Sequence, residues 1–469
     1  MANNNIFKIW AGQGGAGSRS YVTELYRDFE GDKQLNSTNP TYALGPSLQF
    51  SRPTAATFYS NLSTIQTTTI NIPRFEYSHD GTVFKGLLIE EQRANLVTYS
   101  SNFALSGTWS PTTSSDGPGV SIQSNVTAVS APDGTFTASK MFMNPAKGYR
   151  NITWIEGSPF VAGNANLGEV YARSIYIKRD TARYISIGCD GTTLSAATSN
   201  VFDFENPGFN EGNLFTMFWE YIRDGWYRIG FYRTSANSNT NKICIGFSPV
   251  RAPSNYAVDT LFPDTSISQT ASSVFIWGTQ VEKGFLPTSF VPTSGAQLIR
   301  AADKVFLSRS AFITVYNPVS SSIFIKGNRT YPEPATYFSV SNNSNGRYLN
   351  LGAREVIVDP DGPEKAQVDF LSVIPVSGTS TGTTFISSLD TPDVTAPRTI
   401  AAGIQNNNMI LYQNQQLVGQ LTVDASLPVG LINFYIGSIE GTDTFLNGHI
   451  LKLHYWPYRL DNATLAAQT

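Results

Sequence analysis

Residues 71–109 read NIPRFEYSHDGTVFKGLLIEEQRANLVTYSSNFALSGTW. Two apolar β-type pieces, Val83-Phe84 and Gly86–Ile89, come after the turn His79-Asp80-Gly81. A polar link, Glu90–Asn95, then hands the chain to Leu96–Tyr99. Pro73 disfavours helix in the residue before it, and Asp-Gly is a tight-turn signal, so the stretch reads as an extended, turn-bounded connector. Its importance is positional. The chain before it is irregular, and the chain beyond it is a long series of short strands.

Downstream, the strand candidates are Glu169–Lys178, Arg183–Cys189, Phe215–Tyr221, Trp226–Tyr232, Ile243–Phe247 and Val274–Val281. Ile185 and Ile187 alternate with Ser186 and Gly188, the pattern of a half-exposed strand. Val274-Phe275-Ile276-Trp277 is apolar on both faces, as in a strand covered on both sides. Clusters of Gly, Asn, Asp and Ser separate the strands. The fold class is therefore all-β, with two antiparallel β-sandwich or jelly-roll domains behind an irregular N-terminal arm with a short helix. The expected division is an arm over 1–50, a connector over 51–95, a sandwich over 96–302 and a second sandwich over 303–469. In the arm, Val22, Leu25, Tyr26 and Phe29 repeat at helical spacing, which predicts a short helix over Tyr21–Phe29. The arm is read as an attachment or assembly segment. Gly12, Gly14 and Gly17 satisfy G-x-G-x-x-G, but no βαβ pattern comes after them, so they read as a loop.

Composition narrows the function classes. The chain has 469 residues, 41% hydrophobic and 12% aromatic, with a formal net charge of −3. Charged residues make up 14%, against roughly 25% in an average soluble domain. Such a chain builds cores and wide neutral surfaces, and is not disordered. No basic block exceeds two residues, which argues against nucleic acid as a partner. No apolar run is long enough for a membrane helix, and Met1–Trp10 lacks the apolar core of a secretory signal. The two cysteines, Cys189 and Cys244, read as small buried residues. With only these and three histidines, no metal site and no cofactor is expected.

Several words of the sequence carry a resemblance. They are FSRPTAAT (50–57), NIPRF (71–75), GLLIEEQRANL (86–96), DGWYR (224–228), IWGTQVE (276–282), PTSF (287–290) and RAAD (300–303). In this order they resemble a family of tailed-bacteriophage structural proteins described as head spikes, head fibres or tail-fibre-like proteins. The resemblance covers about residues 45–303 and implies a bacteriophage virion structural protein, commonly a homotrimer, on the virion surface. It implies other virion proteins of capsid or tail as partners through the arm. It also implies a domain similar to carbohydrate-binding modules over 96–302. Residues 408–461 resemble the last strands of concanavalin A-like, laminin-G-like sandwiches, with Asp461–Ala467 as the capping helix.

Glycan binding needs aromatic faces for sugar C–H groups and amides or carboxylates for hydroxyls. Trp109, Trp154, Trp219, Trp226, Trp277 and Trp456 are the aromatic candidates. Trp226 and Trp277 sit in apolar strands and read as core. Trp109 and Trp154 lie among polar residues and are the expected exposed pair, the candidate contacts for a host-surface polysaccharide. Asp359-Pro360-Asp361-Gly362 offers two carboxylates, but a hard cation wants about six to eight oxygens and a plain turn explains these residues without metal. A depolymerase would need two carboxylates at catalytic separation. Glu90 and Glu91 are adjacent and would face opposite ways along a strand, and His449 and His454, an odd number apart, likewise. The expectation is a non-enzymatic adhesin. A purely structural capsid or tail component and a polysaccharide depolymerase are the rival readings.

Overall fold

The computed structural model describes residues 25–28, 48–104, 109–111, 113–114, 117–118, 120–143, 154–157, 168–188, 200–209, 216–234, 243–248, 271–330, 334–341, 348–357, 365–373, 384–387, 396–405, 408–421, 431–442 and 444–469. These residues are strands and turns, with two short helices, Arg309–Val315 and Asn462–Gln468. The all-β reading holds. The glycine loop at 12–17, the Asp359–Gly362 turn and Cys189 lie outside the described residues.

The first sandwich faces two six-stranded antiparallel sheets against each other. One carries the strands Ser139–Met143, Ser272–Lys283, Val170–Arg179, Trp226–Thr234 and, at its edge, Thr216–Arg223. The other carries Gly208–Phe209, Val201–Asp203, Tyr184–Gly188 and Ile243–Ser248. The strand Ser272–Lys283 shows why its sequence is apolar on both faces. Val274 and Ile276 join the core between the sheets, while Phe275 and Trp277 face a second cluster outside, with Tyr59, Ile65, Val126 and Phe290. Each such side chain, fully buried, contributes about 1.5–3 kcal/mol.

The second sandwich packs an eight-stranded sheet on a seven-stranded one. Ile323, Ile325, Leu453 and Tyr455 from the first sheet meet Phe338, Val340, Phe434 and Ile436 from the second in a common core. The terminal helix Asn462–Gln468 is capped by Asp461, whose carboxylate accepts from Thr464 N at 2.8 Å. Its Leu465 covers Phe324, Ala401, Ile410 and Trp456 on the outward face of that sheet.

The stretch expected as a connector is built into this second sandwich. Arg74–Tyr77 and Phe84–Ile89 form a hairpin, and Phe84–Ile89 pairs with Gly448–Trp456, a strand of the eight-stranded sheet. Gly86 sits here at φ +118°, with Ile450 O lying 2.6 Å from where a Cβ would be. Leu48–Ser51 pairs with Lys304–Leu307 in the opposite sheet. The arm is corrected too. Leu25–Asp28 is a strand, paired antiparallel with residues 452–455, and not part of a helix. A one- or two-turn helix is unstable alone, and the open edge of Gly448–Trp456 offers backbone partners that override the helical spacing. The described residues between 96 and 302 therefore form a sandwich inserted into the second one between Glu90 and Asp303.

The neck of this insertion is closed by backbone pairing and by charge. Arg93–Asn95 pairs with Leu298–Arg300, and Asp303 N donates to Glu90 O at 2.9 Å. Around it Arg52, Arg74 and Arg300 surround Glu90 and Asp303, all buried. Arg52 Nη1 lies 2.8 Å from Asp303 Oδ1, Arg74 Nη1 lies 2.7 Å from Glu90 Oε2, and Arg74 Nη2 binds Asp303 Oδ2. Arg300 stands 3.5 Å from Glu90 and 3.9 Å from Asp303. Ser289 donates its N–H and its hydroxyl to Glu90 at 2.8 and 2.7 Å. Glu90 N donates to Asp303 Oδ2 at 3.0 Å, so each of the four carboxylate oxygens has a protein donor. Burial alone would push the Glu90 carboxyl up. Arg300, Arg74 and Ser289 overcome it and hold the group far below the usual carboxylate range.

Five of the words that carry the family resemblance meet at this neck: FSRPTAAT through Arg52, NIPRF through Arg74, GLLIEEQRANL through Glu90, PTSF through Ser289, and RAAD through Arg300 and Asp303. IWGTQVE is tied to the same region. Gln280 Oε1 accepts from Val291 N at 2.7 Å, and Thr279 O accepts from Asn95 Nδ2 at 3.1 Å. These words encode a buried junction, not an exposed surface.

Candidate functional site

The edge strand Thr216–Arg223 is joined to Trp226–Thr234 by the two-residue turn Asp224-Gly225, at φ +48° and +80°. Asp-Gly adopts this left-handed pair at little cost, and the turn suits the right-handed twist of the strands it joins. Trp219 and Tyr221, two residues apart, share a face of the edge strand. Opposite them are Ile229 and Tyr227, respectively, and Ile229 belongs to the inner core. The pair therefore lies on the inner face of its sheet, where the sandwich opens at its edge. The tightly packed residue beneath is Phe202, fully buried on the opposing sheet. Its ring centroid is 5.2 Å from Tyr227, 5.9 Å from Trp219, 5.4 Å from Phe204 and 5.5 Å from Phe209. Tyr227 in turn is 6.1 Å from Trp219 and 5.3 Å from Tyr221.

Exposure is graded outward along this cluster. Phe202 is buried and Tyr227 half-buried, while Trp219 is 43% and Tyr221 52% exposed. The outer rings are held in place from below by core aromatics, so little rotamer entropy remains to be lost on binding. On the other face of the edge strand, His79 fixes the backbone, its Nδ1 standing 3.0 Å from Tyr221 O, with Tyr59 at 4.3 Å from the imidazole. Burial, and then Tyr221, push the Tyr227 phenol up.

Of the two tryptophans expected to be exposed, the structure removes Trp109. Trp109 is 2% exposed, packs at 4.8 Å on Phe103 and donates its indole N–H to Tyr99 O at 3.0 Å. The ring belongs to the inner core and is not open to a sugar. Trp154 begins the strand Trp154–Gly157, and its side chain lies outside the described residues. Trp226 and Trp277 are core, as expected. The signal for Trp219 was present in Phe215–Tyr221, where Trp219, Tyr221 and Met217 alternate with Phe218 and Glu220 beside a Ser- and Asn-rich loop. An edge strand cannot be told from a central one in such a window.

The other polar candidates are structural. Glu91 accepts from Arg93 and lies against Asn447, outside any strand, while Glu90 belongs to the neck. His449 and His454 do not face opposite ways. An extra residue in Gly448–Trp456, where Lys326 pairs with Lys452 but Gly327 pairs with Ile450, restores both to the outward face. They serve separate contacts there: His449 Nε2 is 2.7 Å from Glu76, and His454 stacks on Trp456. Burial would raise the Glu76 carboxyl, but the His449 contacts bring it below its ordinary value. Among the described residues, no three His, Cys, Asp or Glu side chains are grouped to hold a metal ion. Nor is any described helix long and apolar enough to cross a membrane.

No protein-family model matches the chain, and no curated protein matches it. Among solved structures, it is similar to the CBM40 of a Ruminococcus gnavus IT-sialidase bound to α2,3-sialyllactose. The identity is 18% and the TM-score 0.28, over 34% of this chain and 85% of that one. It is similar to a SAP-like pentraxin of Limulus polyphemus at 14% identity and TM-score 0.23, over 31% of this chain and 68% of that one.

Proposed function

We propose that this chain is a non-enzymatic virion-surface protein of a tailed bacteriophage, a spike or fibre whose inserted sandwich binds host-surface glycan. The observation that carries the binding is the aromatic rim of Trp219, Tyr221 and Tyr227, exposed at a sandwich edge and backed by a buried ring. Pre-set aromatic faces are what sugar C–H groups need, and the cost of ordering them has already been met in folding. The viral part rests on the sequence words from FSRPTAAT to RAAD, whose residues build the neck. In this reading the second sandwich and the arm face the virion, and the inserted sandwich points outward. A homotrimer would present three rims, so weak single contacts would gain by avidity.

The test incubates the purified full chain with bacterial cells and with polysaccharide extracted from them, and measures release of reducing ends in the same tube. Saturable binding without release is the expected result. Release of reducing ends would replace the adhesin with a depolymerase. A folded protein that binds no glycan, yet is found by antibody labelling in many copies on the particle, would leave a purely structural virion component.

A further inference from the structure

We infer that the rim takes neutral pyranose rings, bearing no carboxylate, sulfate or phosphate; the inference rests on the glycan-binding reading and deepens it. The indole groups of this sandwich give a first observation. Trp109, Trp226 and Trp277 donate their N–H groups to Tyr99 O, Ser130 O and Thr137 Oγ1 at 3.0, 2.9 and 3.0 Å. The indole N–H of Trp219, whose ring is exposed, has no hydrogen-bond partner among the described residues. The rim therefore offers a ring face and a neutral donor side by side, which suits a hydroxyl-bearing ring with an apolar C–H side.

The charges nearby give a second, independent observation. Glu220 points to the opposite face of the edge strand, toward His79 at 3.7 Å. Two cations nearby, Arg179 at the end of a strand of the rim's own sheet and Arg183 on the approach to the opposing one, are already paired. Arg183 holds Asp203 at 3.1 Å and Glu205 at 2.6 Å, and Arg179 holds Glu205 at 2.9 Å. An acidic sugar is recognised through a guanidinium or ammonium group, usually by paired hydrogen bonds. Arg223, two residues beyond Tyr221, is set opposite Trp226 by an extra residue in the strand and stands 3.6 Å from Asp224, so among the described residues the rim face presents none. The phenols agree: Tyr59 and Tyr176, on the far face, feel Glu220 and Arg228, whereas burial and another tyrosine alone act on Tyr227.

Ring placement adds a length. Trp219 and Tyr221 stand about 6.6–6.8 Å apart along the strand, two residues of rise, so they meet adjacent rings of a chain better than one terminal sugar.

The experiment titrates the full chain with neutral polymers (a galactan, a mannan, a glucan) and with acidic ones (polygalacturonate, polysialic acid), monitoring tryptophan fluorescence. Saturable binding to a neutral polymer is expected, changing less than about twofold between roughly 50 and 500 mM NaCl, since no charge pair is screened. Trp219→Ala is expected to weaken it on the order of tenfold or more, in a chain that still unfolds cooperatively above the assay temperature. Tyr221→Ala serves as the second variant and is expected to weaken binding in the same way. Binding confined to acidic polymers and weakened by salt would overturn the inference while leaving glycan adhesion in place. Binding unaffected by both substitutions would overturn the rim as its site. No binding to any polymer would overturn the adhesin reading as well.

Discussion

Replacing Asp303 by Asn tests whether the neck holds the two sandwiches together. The site contains three guanidinium groups, Arg52, Arg74 and Arg300, against two carboxylates, Glu90 and Asp303, so its charge is 3 − 2 = +1. Asn keeps the shape but removes one negative charge, leaving +2 in a cluster that water barely reaches. It also weakens the 2.8 Å bond from Arg52 and the bond from Arg74. Removing one partner of a buried ion pair costs about 3–5 kcal/mol, because the other is left without compensation. Against a total stability of about 5–15 kcal/mol this is a large fraction. Urea unfolding monitored by tryptophan fluorescence should show the midpoint falling sharply. Trp226 and Trp277 report on the inserted sandwich and Trp456 on the other. Limited proteolysis should cut the variant first near residues 90–95 and 298–303. A midpoint loss worth under about 1 kcal/mol, with no new cleavage at the neck, would refute the assignment of the ion cluster as the junction. As a control, Arg52→Met combined with Asp303→Leu should recover part of the loss, since well-packed apolar groups can replace a buried pair.

Gln415 lies at φ +67°, after Asn414 at +47°, in the turn between Asn408–Gln413 and Gln416–Leu421; Gln415→Gly should raise stability by about 1 kcal/mol in thermal unfolding. Gly86→Ala should lower it by on the order of 2–3 kcal/mol, because a Cβ would meet the Ile450 carbonyl in a left-handed backbone, and urea titration would measure it. Trp277→Ala should cost about 3–5 kcal/mol by emptying the space between Tyr176 and Phe290, read from the same unfolding curves. Glu90 and Glu76 have folded pKa values below the unfolded carboxyl value of about 4.3. Their stabilisation is therefore complete above about pH 4.3 and declines as pH falls toward the folded values. Melting temperatures measured from pH 7 downward should hold above that point and drop below it, and Glu90→Gln should flatten the drop.

The fold class was legible wherever one face of a strand decided its residues. Val274–Trp277 declared its double burial because both neighbours, the core and the connector, ask for apolar side chains. The helix over Tyr21–Phe29 failed because pairing with residues 452–455, more than 400 positions away, cannot be seen in a local window. The insertion stayed hidden for the same reason. The words that carry the family resemblance were visible as words, but their common purpose appears only when Arg52, Arg74, Glu90, Arg300 and Asp303 come together. Trp109 and Trp219 exchanged roles because polar neighbours in sequence do not report exposure. Trp109 turns inward to Phe103, and Trp219 lies on an edge that no further described strand covers. His449 and His454 were misread through one extra residue, which period-two counting cannot detect.

The backbone at Glu90 and Asp303 leaves the host sandwich and returns to it at hydrogen-bond distance. The chain thus enters and leaves the inserted sandwich at one place, while Tyr59, Ile65 and His79 from the preceding stretch pack against its outer face. A replacement module would have to begin and end side by side, keep a donor in place of Ser289 for Glu90, and present an apolar face to Tyr59 and Ile65. A hairpin closed directly across residues 95 and 298 would remove Ser289 from Glu90 and uncover Tyr59 and Ile65, so the host sandwich alone should unfold at lower urea than the whole chain.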